Sequence, residues 1–246
     1  MSMRLPWLDD DPHAPFPPTS SARRDPDGLL AAGGDLSPTR LLNAYRNGIF
    51  PWFSDGQPIL WWSPDPRWVF RTGTLHLSRR FIRTLRHSTW TVRADTEFAN
   101  VISACAHSVR GGQRGTWITT AMEAAYLELH RLGHAHSIEV FDGEQLVGGL
   151  YGVAIGRMFF GESMHSGKSG GSKCALAVFA RRLGQWGWPL IDAQVGNPHL
   201  VQLGAESWPR GTFLSRVAEL TAIPEPAQSW SGRFGTIAVQ ELAGTG

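Results

Sequence analysis

The chain has 246 residues, 42% of them hydrophobic and 18% charged, enough apolar content at this length to bury a core and too much for disorder to dominate. Its 23 Lys and Arg against 21 Asp and Glu leave a formal net charge of +2, which excludes a polycation that coats nucleic acid by bulk charge. A local basic patch stays open, because Lys168 and Lys173 are the only lysines and arginine is the better fork for phosphate, although a GC-rich coding bias gives the same excess.

Residues 1–24 are rich in proline, lack an apolar signal-peptide core, and read as an extended arm of a soluble, cytoplasmic protein. Ser37 as cap, Pro38 at the first helical position and Gly48 past the last turn frame a helix of about three turns, with Leu41, Leu42 and Tyr45 as its apolar stripe. Strand-like runs follow at 59–62 and 68–71 around the turn former Ser-Pro-Asp-Pro. A small N-terminal lobe is expected to end near residue 72, giving segments 1–72, 73–220 and 221–246.

The next helix, 78–87, carries Arg79, Arg80, Arg83 and Arg86 close together on one side, opposite Phe81, Ile82 and Leu85, with no acid among them. This is either a solvated face or an RNA-phosphate patch. Residues 96–106 read as helical, and Thr120 with Glu123 suggests a capping box for a helix running to Gly133. The period then changes. Strands at 135–141 and 145–155 flank an Asp142-Gly143 turn, a third covers 157–163, and a Gly/Ser-rich loop, 166–172, leads into a helix at 173–185. A strand at 188–194 follows, and the last 25 residues read as a loose tail. The order predicts an α+β fold with helices on a mixed, mostly antiparallel sheet. The longest apolar run, 146–156, is too short to span a membrane.

Several motifs fail on inspection. The run Gly-Glu-Ser-Met-His-Ser-Gly-Lys-Ser has one residue too many for a phosphate loop. His130, His134 and His136 lack the acid and the spacing of a zinc site, so no metal is expected. Cys105 and Cys174 read as reduced core residues, and no serine nucleophile elbow occurs. Glu162 and the Asp192/Gln194 pair remain. A carboxylate on an apolar strand is costly unless it is paired or at work, and strand alternation puts Asp192 and Gln194 on one face. Such a pair either orients an amine or forms a buried hydrogen-bonded structure.

Residues 25–53, 57–67, 115–119, 134–140, 146–164 and 190–194 together closely resemble the bacterial leucyl/phenylalanyl-tRNA–protein transferases, with the motifs in one order from about residue 16 to 216. The resemblance implies an aminoacyltransferase that moves Leu or Phe, with Met as a further candidate, from tRNA to the N-terminal α-amine of proteins starting with Arg or Lys. The product is then marked for N-end-rule proteolysis. It implies a larger lobe similar to the acyl-CoA-dependent N-acetyltransferase fold, no cofactor, no metal and no membrane partner. By the same resemblance Asp192 and Gln194 activate the peptide amine, and Glu162 holds the ammonium of the transferred amino acid.

Leu150, Phe159, Met164, Phe179, Leu183 and Ile191 are the expected pocket walls. Trp52 and Trp117 match family aromatics and either stack on the terminal adenine or pack between the lobes, with Tyr45, Tyr126 and Asn197 as further substrate neighbours. The arginine helix gains a use as the grip on the tRNA acceptor stem. His165 stands where the family commonly has Phe, which bears on the pocket's edge. A coenzyme-A-dependent N-acyltransferase and a non-catalytic RNA-binding module are the alternatives. The first would need a pyrophosphate loop that 166–172 does not match, and the second gives Glu162, Asp192 and Gln194 no purpose.

Overall fold

A computed structural model describes residues 5–108 and 118–244 of the chain. Among these, β1 (Trp7–Leu8) runs parallel to β2 (Leu29–Gly33), whose small and apolar residues are buried throughout. α1 (Pro38–Arg46) begins as its sequence dictates, with the Ser37 hydroxyl accepting from the Arg40 N–H and Pro38 where no donor is needed. Gly48, at φ 67°, turns the chain out of it. β3 (Phe50–Pro51) and β4 (Leu60–Trp62) complete a small sheet of order β1-β2-β4-β3. The N-terminal arm is pinned to this lobe. Buried Arg40 bonds to Asp35 and to the carbonyls of Asp9 and Asp11, and Phe16 meets the Trp61 ring edge-on at 4.9 Å.

The chain then builds the larger sheet and its cover. In order come β5 (Arg67–Arg71), α2 (Arg79–Leu85), β6 (Thr91–Ala94), α3 (Phe98–Ala106), α4 (Thr120–Arg131), β7 (Ala135–Asp142), β8 (Gln145–Ile155) and β9 (Met158–Ser166). α5 (Gly171–Gln185), β10 (Leu190–Gln194), α6 (Pro198–Gln202), β11 (Glu206–Trp208), α7 (Arg210–Thr221), α8 (Ser231–Phe234) and β12 (Ile237–Ala238) follow. The sheet order is β11-β5-β10-β9-β8-β7-β6-β12, antiparallel at every step except β9–β10. Strand alternation divides the apolar residues between two cores. Phe160, Leu190 and Val69 join Tyr45, Tyr126 and Phe213 on one face, while Phe159, Ile191 and Phe70 join Phe179 and Leu183 of α5 on the other. This is the expected α+β class, a mixed sheet with helices on both faces.

Four expectations need correction. The strand at 67–71 belongs to the large sheet, so the two sheets part before residue 67 and not near 72. Thr119, not Thr120, caps α4 by accepting from Met122 N–H, and among the described residues Glu123 makes no reciprocal bond that defines a box. The strand at 91–94 is absent from the expected elements because four residues of mixed polarity carry little period. The segment after Thr221 is packed: Trp230, Phe234, Ile237 and Val239 are buried in the second core. Cys105 and Cys174 are both buried. Among the described residues no helix is long and apolar enough to cross a membrane.

Candidate active site

The site forms where the sheet comes apart. β9 and β10 pair only through Ile191↔Phe159 and Asp192↔Phe160. Immediately beyond, the β8–β9 ladder shifts register between Tyr151 and Gly152, and the β10–β5 ladder shifts between Asp192 and Gln194. A Cβ on Gly152 would stand 2.2 Å from the Phe160 carbonyl oxygen, so the shifted strand comes this close only with glycine there. A cavity of about 560 Å³ opens in the split, a volume suited to a small-molecule group.

One wall is apolar, with Leu150, Phe159, Met164, Leu176, Phe179 and Ile191, and the polar wall includes Glu162, Gln194, Asn197 and His199. Glu162 on β9 accepts at both oxygens. Tyr45 OH of α1 reaches Oε1 at 2.7 Å, Tyr126 OH of α4 reaches Oε2 at 2.9 Å, and Gln194 Nε2 donates to Oε1 at 2.6 Å. The two phenol oxygens also touch each other, so two protons are available for three contacts. Burial pushes the Glu162 carboxyl up to about 7, with the Asp192 charge adding to the rise and the three donors opposing it. Burial and the Glu162 charge hold both phenols well above their ordinary range, so they act as donors.

Asp192 also lines the cavity and is itself wholly buried. Its Oδ1 accepts from Arg67 Nε at 2.8 Å and its Oδ2 from Arg67 Nη2 at 2.6 Å, a two-toothed ion pair. Oδ1 also accepts the backbone N–H of Gln194 at 2.9 Å, and Gln194 stands at φ 58°, a left-handed conformation rare outside glycine. The Asp192/Gln194 relation is therefore carboxylate to backbone, while the Gln194 side chain goes to Glu162. Arg67 is the member that reading along the chain misses. It lies 125 residues from its partner, in a strand whose pairing no local pattern reveals.

The expected substrate residues fall unevenly. Leu150, Phe159, Met164, Phe179 and Ile191 line the cavity, whereas Leu183 lies in the core behind it. Leu183 shares the buried face of α5 with Phe179, and helical spacing does not tell which of two turns reaches the opening. Trp52 lines the cavity at 40% exposure, tilted against Trp62 at 5.6 Å. Trp117 lies outside the described residues. Asn197 lines the cavity and caps α6 by accepting from Leu200 N–H. His165 is buried on the strand beside Met164 and does not line the cavity.

Arg79, Arg80, Arg83 and Arg86 are all exposed along α2, and none forms an ion pair with a described residue. The helix packs beside the start of α5. A Cβ on Gly170 would meet the Phe81 ring at 2.6 Å, the Lys173 ammonium lies 5.7 Å from that ring's centre, and Ser172 beside it lines the cavity. Two of the three histidines are bonded within the fold, His136 to Asp95 and His130 to the Ala135 carbonyl. No metal-binding cluster of His, Cys, Asp or Glu occurs among the described residues.

Comparison with known proteins gives a consistent picture. The family model described as leucyl/phenylalanyl-tRNA protein transferase matches residues 69–218, and that of the same family's N-terminal domain matches 34–65. A protein named leucyl/phenylalanyl-tRNA–protein transferase from Xanthomonas campestris pv. campestris (strain B100) is 65% identical over 99% of this chain and 98% of its own. One of the same name from Xylella fastidiosa (strain 9a5c) is 62% identical over 96% and 97%. Among solved structures, L-PGS from Bacillus licheniformis aligns with a TM-score of 0.39 and 12% identity, covering 70% of this chain and 57% of that one.

Proposed function

The chain belongs to the leucyl/phenylalanyl-tRNA–protein transferase family, and from that membership we propose how its cavity moves an aminoacyl group from tRNA to a protein amine. Its activity is that of an aminoacyltransferase that takes Leu or Phe from aminoacyl-tRNA to protein N-termini. The observation that carries the site reading is a single carboxylate, Glu162, held by two phenols and an amide against an apolar cavity. Leu or Phe fills the apolar side, and ionised Glu162 takes the α-ammonium of the same amino acid, which orients its ester carbonyl. A pocket of this kind admits both side chains because shape separates similar apolar groups weakly.

The aminoacyl ester is already activated, so amide formation needs no further energy source. The incoming α-amine, with an ordinary pKa near 8, reaches the carbonyl in its neutral form. With Nε2 committed to Glu162, Gln194 Oε1 is the atom that can accept an N–H from that amine. The N–C bond forms, the C–O bond to the ribose breaks, and the amine's surplus proton ends on the departing 3′-oxygen. Asp192, with three hydrogen bonds already received, acts by fixing Gln194.

Exposed Trp52 supports stacking of the terminal adenine, and the four arginines of α2 support a sequence-blind grip on the acceptor stem. The acceptor rule of Arg or Lys, and the marking of products for N-end-rule proteolysis in the cytoplasm, come with the resemblance. So does an N-acetyltransferase-like character of the larger lobe, which the mostly antiparallel sheet split at one parallel pair supports.

A mass-spectrometric transfer assay tests the reading. The protein is mixed with Phe-tRNA and peptides starting with Arg, Lys or Ala, without ATP or added metal. A phenylalanine mass gain on the Arg and Lys peptides alone is expected. No gain from folded protein that binds the tRNA would overturn it, and acetyl transfer from acetyl-CoA would favour the acyl-CoA enzyme instead.

A further inference from the structure

We propose that Arg67 is a positioning residue for the transfer: by gripping the Asp192 carboxylate with both teeth it sets Gln194, and through Gln194 the face that Glu162 presents to the aminoacyl group. The inference rests on the transfer reading above. Its basis is a continuous chain of bonds running from the interior to the cavity. Arg67 is wholly buried, its guanidinium carbon 4.7 Å from the centre of the Phe50 ring and 4.8 Å from that of Phe213, and its Nη1 donates to the Gly48 carbonyl at 3.2 Å. The turn after α1, the strand β3 and the helix α7 thus fix the guanidinium before it meets Asp192.

The plane of the fork dictates the plane of the carboxylate. One oxygen of that carboxylate, Oδ1, receives the Gln194 N–H at 2.9 Å and so holds the residue at φ 58°. From that backbone the Gln194 amide reaches Glu162 at 2.6 Å. A stability role alone would not call for this arrangement, since a buried ion pair is often replaceable by apolar groups of similar volume without loss. A second buried arginine illustrates the contrast. Arg40 meets Asp35 through Nε alone and spends Nη2 on carbonyls of the N-terminal arm, away from the cavity.

A second consequence is electrostatic. Glu162 is bonded to Tyr45 from α1, Tyr126 from α4 and Gln194 from β10, the Asp192 carboxylate of β10 is close enough to oppose its charge, and Tyr151 of β8 lines the same cavity. Asp192 is the second carboxylate of this set, and Arg67 is the cation paired with it. Without the guanidinium, Asp192 would oppose the ionisation of Glu162 more strongly, and the acid limb of the reaction would move to higher pH.

The test uses the full chain with Arg67→Lys, which keeps the charge but loses the fork, and Arg67→Ala with millimolar guanidinium added back. Arg40→Lys serves as the structural control. Thermal melting, kcat and KM for Phe-tRNA, the pH profile, and binding of a non-hydrolysable 3′-amide analogue of phenylalanyl-adenosine are measured together. For Arg67→Lys, kcat is expected to fall by about 10²-fold, the effect of a small misplacement of reacting groups, with analogue binding nearly unchanged. In Arg67→Ala the acid limb moves up, and guanidinium restores part of kcat and part of the limb. Arg40→Lys loses thermal stability without moving the limb.

Wild-type kcat and limb in folded Arg67→Lys would overturn the proposal, as would a loss that follows the unfolded fraction with no rescue. If neither variant folds, Arg67 is structural and the proposal falls. Wild-type protein that neither transfers phenylalanine nor binds the analogue overturns the transfer reading itself, and this inference with it.

Discussion

Gln194 and Glu162 meet across the split between β9 and β10, side-chain amide to carboxylate at 2.6 Å, although 32 residues separate them in the chain. The bond commits the amide's donor to the carboxylate and leaves its oxygen for an incoming amine. It also joins the two substrate positions, because the group that holds the donor's ammonium is bonded to the group that receives the acceptor. Gln194→Ala is therefore expected to lower kcat by roughly 10²–10³, the scale for losing one aimed polar group at a reacting centre. KM for Phe-tRNA should change little, since the pocket and Glu162 remain. Single-turnover transfer from Phe-tRNA measures both, and a variant with unchanged kcat would remove Gln194 from the reaction.

The Glu162 carboxyl is the titrating group of the cavity, raised by burial to about 7. Protonated, it cannot pair with an α-ammonium; ionised, it can. kcat/KM for aminoacyl-tRNA should accordingly rise with pH through an acid limb near 7 in the free enzyme. Tyr45 and Tyr126 donate to the ionised form and lower that value, so the double variant Tyr45→Phe/Tyr126→Phe should carry the limb to higher pH. Glu162→Gln should abolish the limb together with most of the activity. A profile flat from pH 6 to pH 8 in wild-type protein would assign the ammonium to another group.

How legible the site is in the sequence varies with the range of each interaction. Asp192 and Gln194 stand out because a carboxylate and an amide two residues apart interrupt an apolar strand, and strands alternate. Glu162 stands out for the same reason. Arg67 does not, because a buried arginine looks like any other until the strand opposite it is known, and β5 pairs β10 across most of the chain. Tyr45 reads locally as part of an apolar helix stripe, which is true of its ring, while its hydroxyl answers to a strand that comes 117 residues later. The final 25 residues read as loose because α8 and β12 are too short to show a period, yet Trp230 and Phe234 are among the best-buried side chains.

Glu139 makes a separate claim about stability. It is wholly buried on β7, where burial raises its carboxyl to about 7 against bonds from Ser137, Thr96 and the N–H groups of Thr96 and Glu97. The folded state thus holds a proton that the unfolded chain releases near 4.5. Stability from this group is complete below that value and is lost as pH rises to about 7, on the order of 3 kcal/mol in all. Glu139→Gln should flatten the decline of unfolding free energy between pH 5 and pH 8. Urea titrations at both pH values measure it, and an undiminished decline would place the proton elsewhere.

The arginines of α2 face solvent without carboxylate partners among the described residues. Replacing Arg79, Arg83 and Arg86 by Gln should raise KM for Phe-tRNA and flatten its dependence on salt. The slope should lessen by up to about 0.9 for each duplex phosphate that the variant leaves unneutralised. Melting should change little, because the three side chains are exposed. Transfer from a phenylalanyl-adenosine fragment, which has no stem to grip, should proceed at the wild-type rate. If whole tRNA keeps its KM and salt slope, the helix is a solvated face.

Trp230 joins the end of the chain to the back of the cavity. Its ring stacks flat on His136 at 3.7 Å and lies 5.8 Å from Phe179 and 6.0 Å from Phe159, both cavity walls. Its backbone N–H donates to Asp95 at 2.6 Å, and His136 bonds the same carboxylate oxygen at 2.8 Å. Burial would raise the Asp95 carboxyl, but these bonds bring it below its ordinary value, so the knot is anchored on an ionised group. Trp230→Ala should cost about 3–5 kcal/mol, as for other large buried aromatics cut to alanine. For a chain of this size that is a fall in Tm on the order of 10 °C. Because the lost ring backs two pocket walls, KM for Phe-tRNA should rise in protein that is still folded, while the acid limb set by Glu162 stays in place. Calorimetry and transfer kinetics on the same preparation separate the two effects, and a melting temperature like that of the wild type would show that the terminal segment lies off the core.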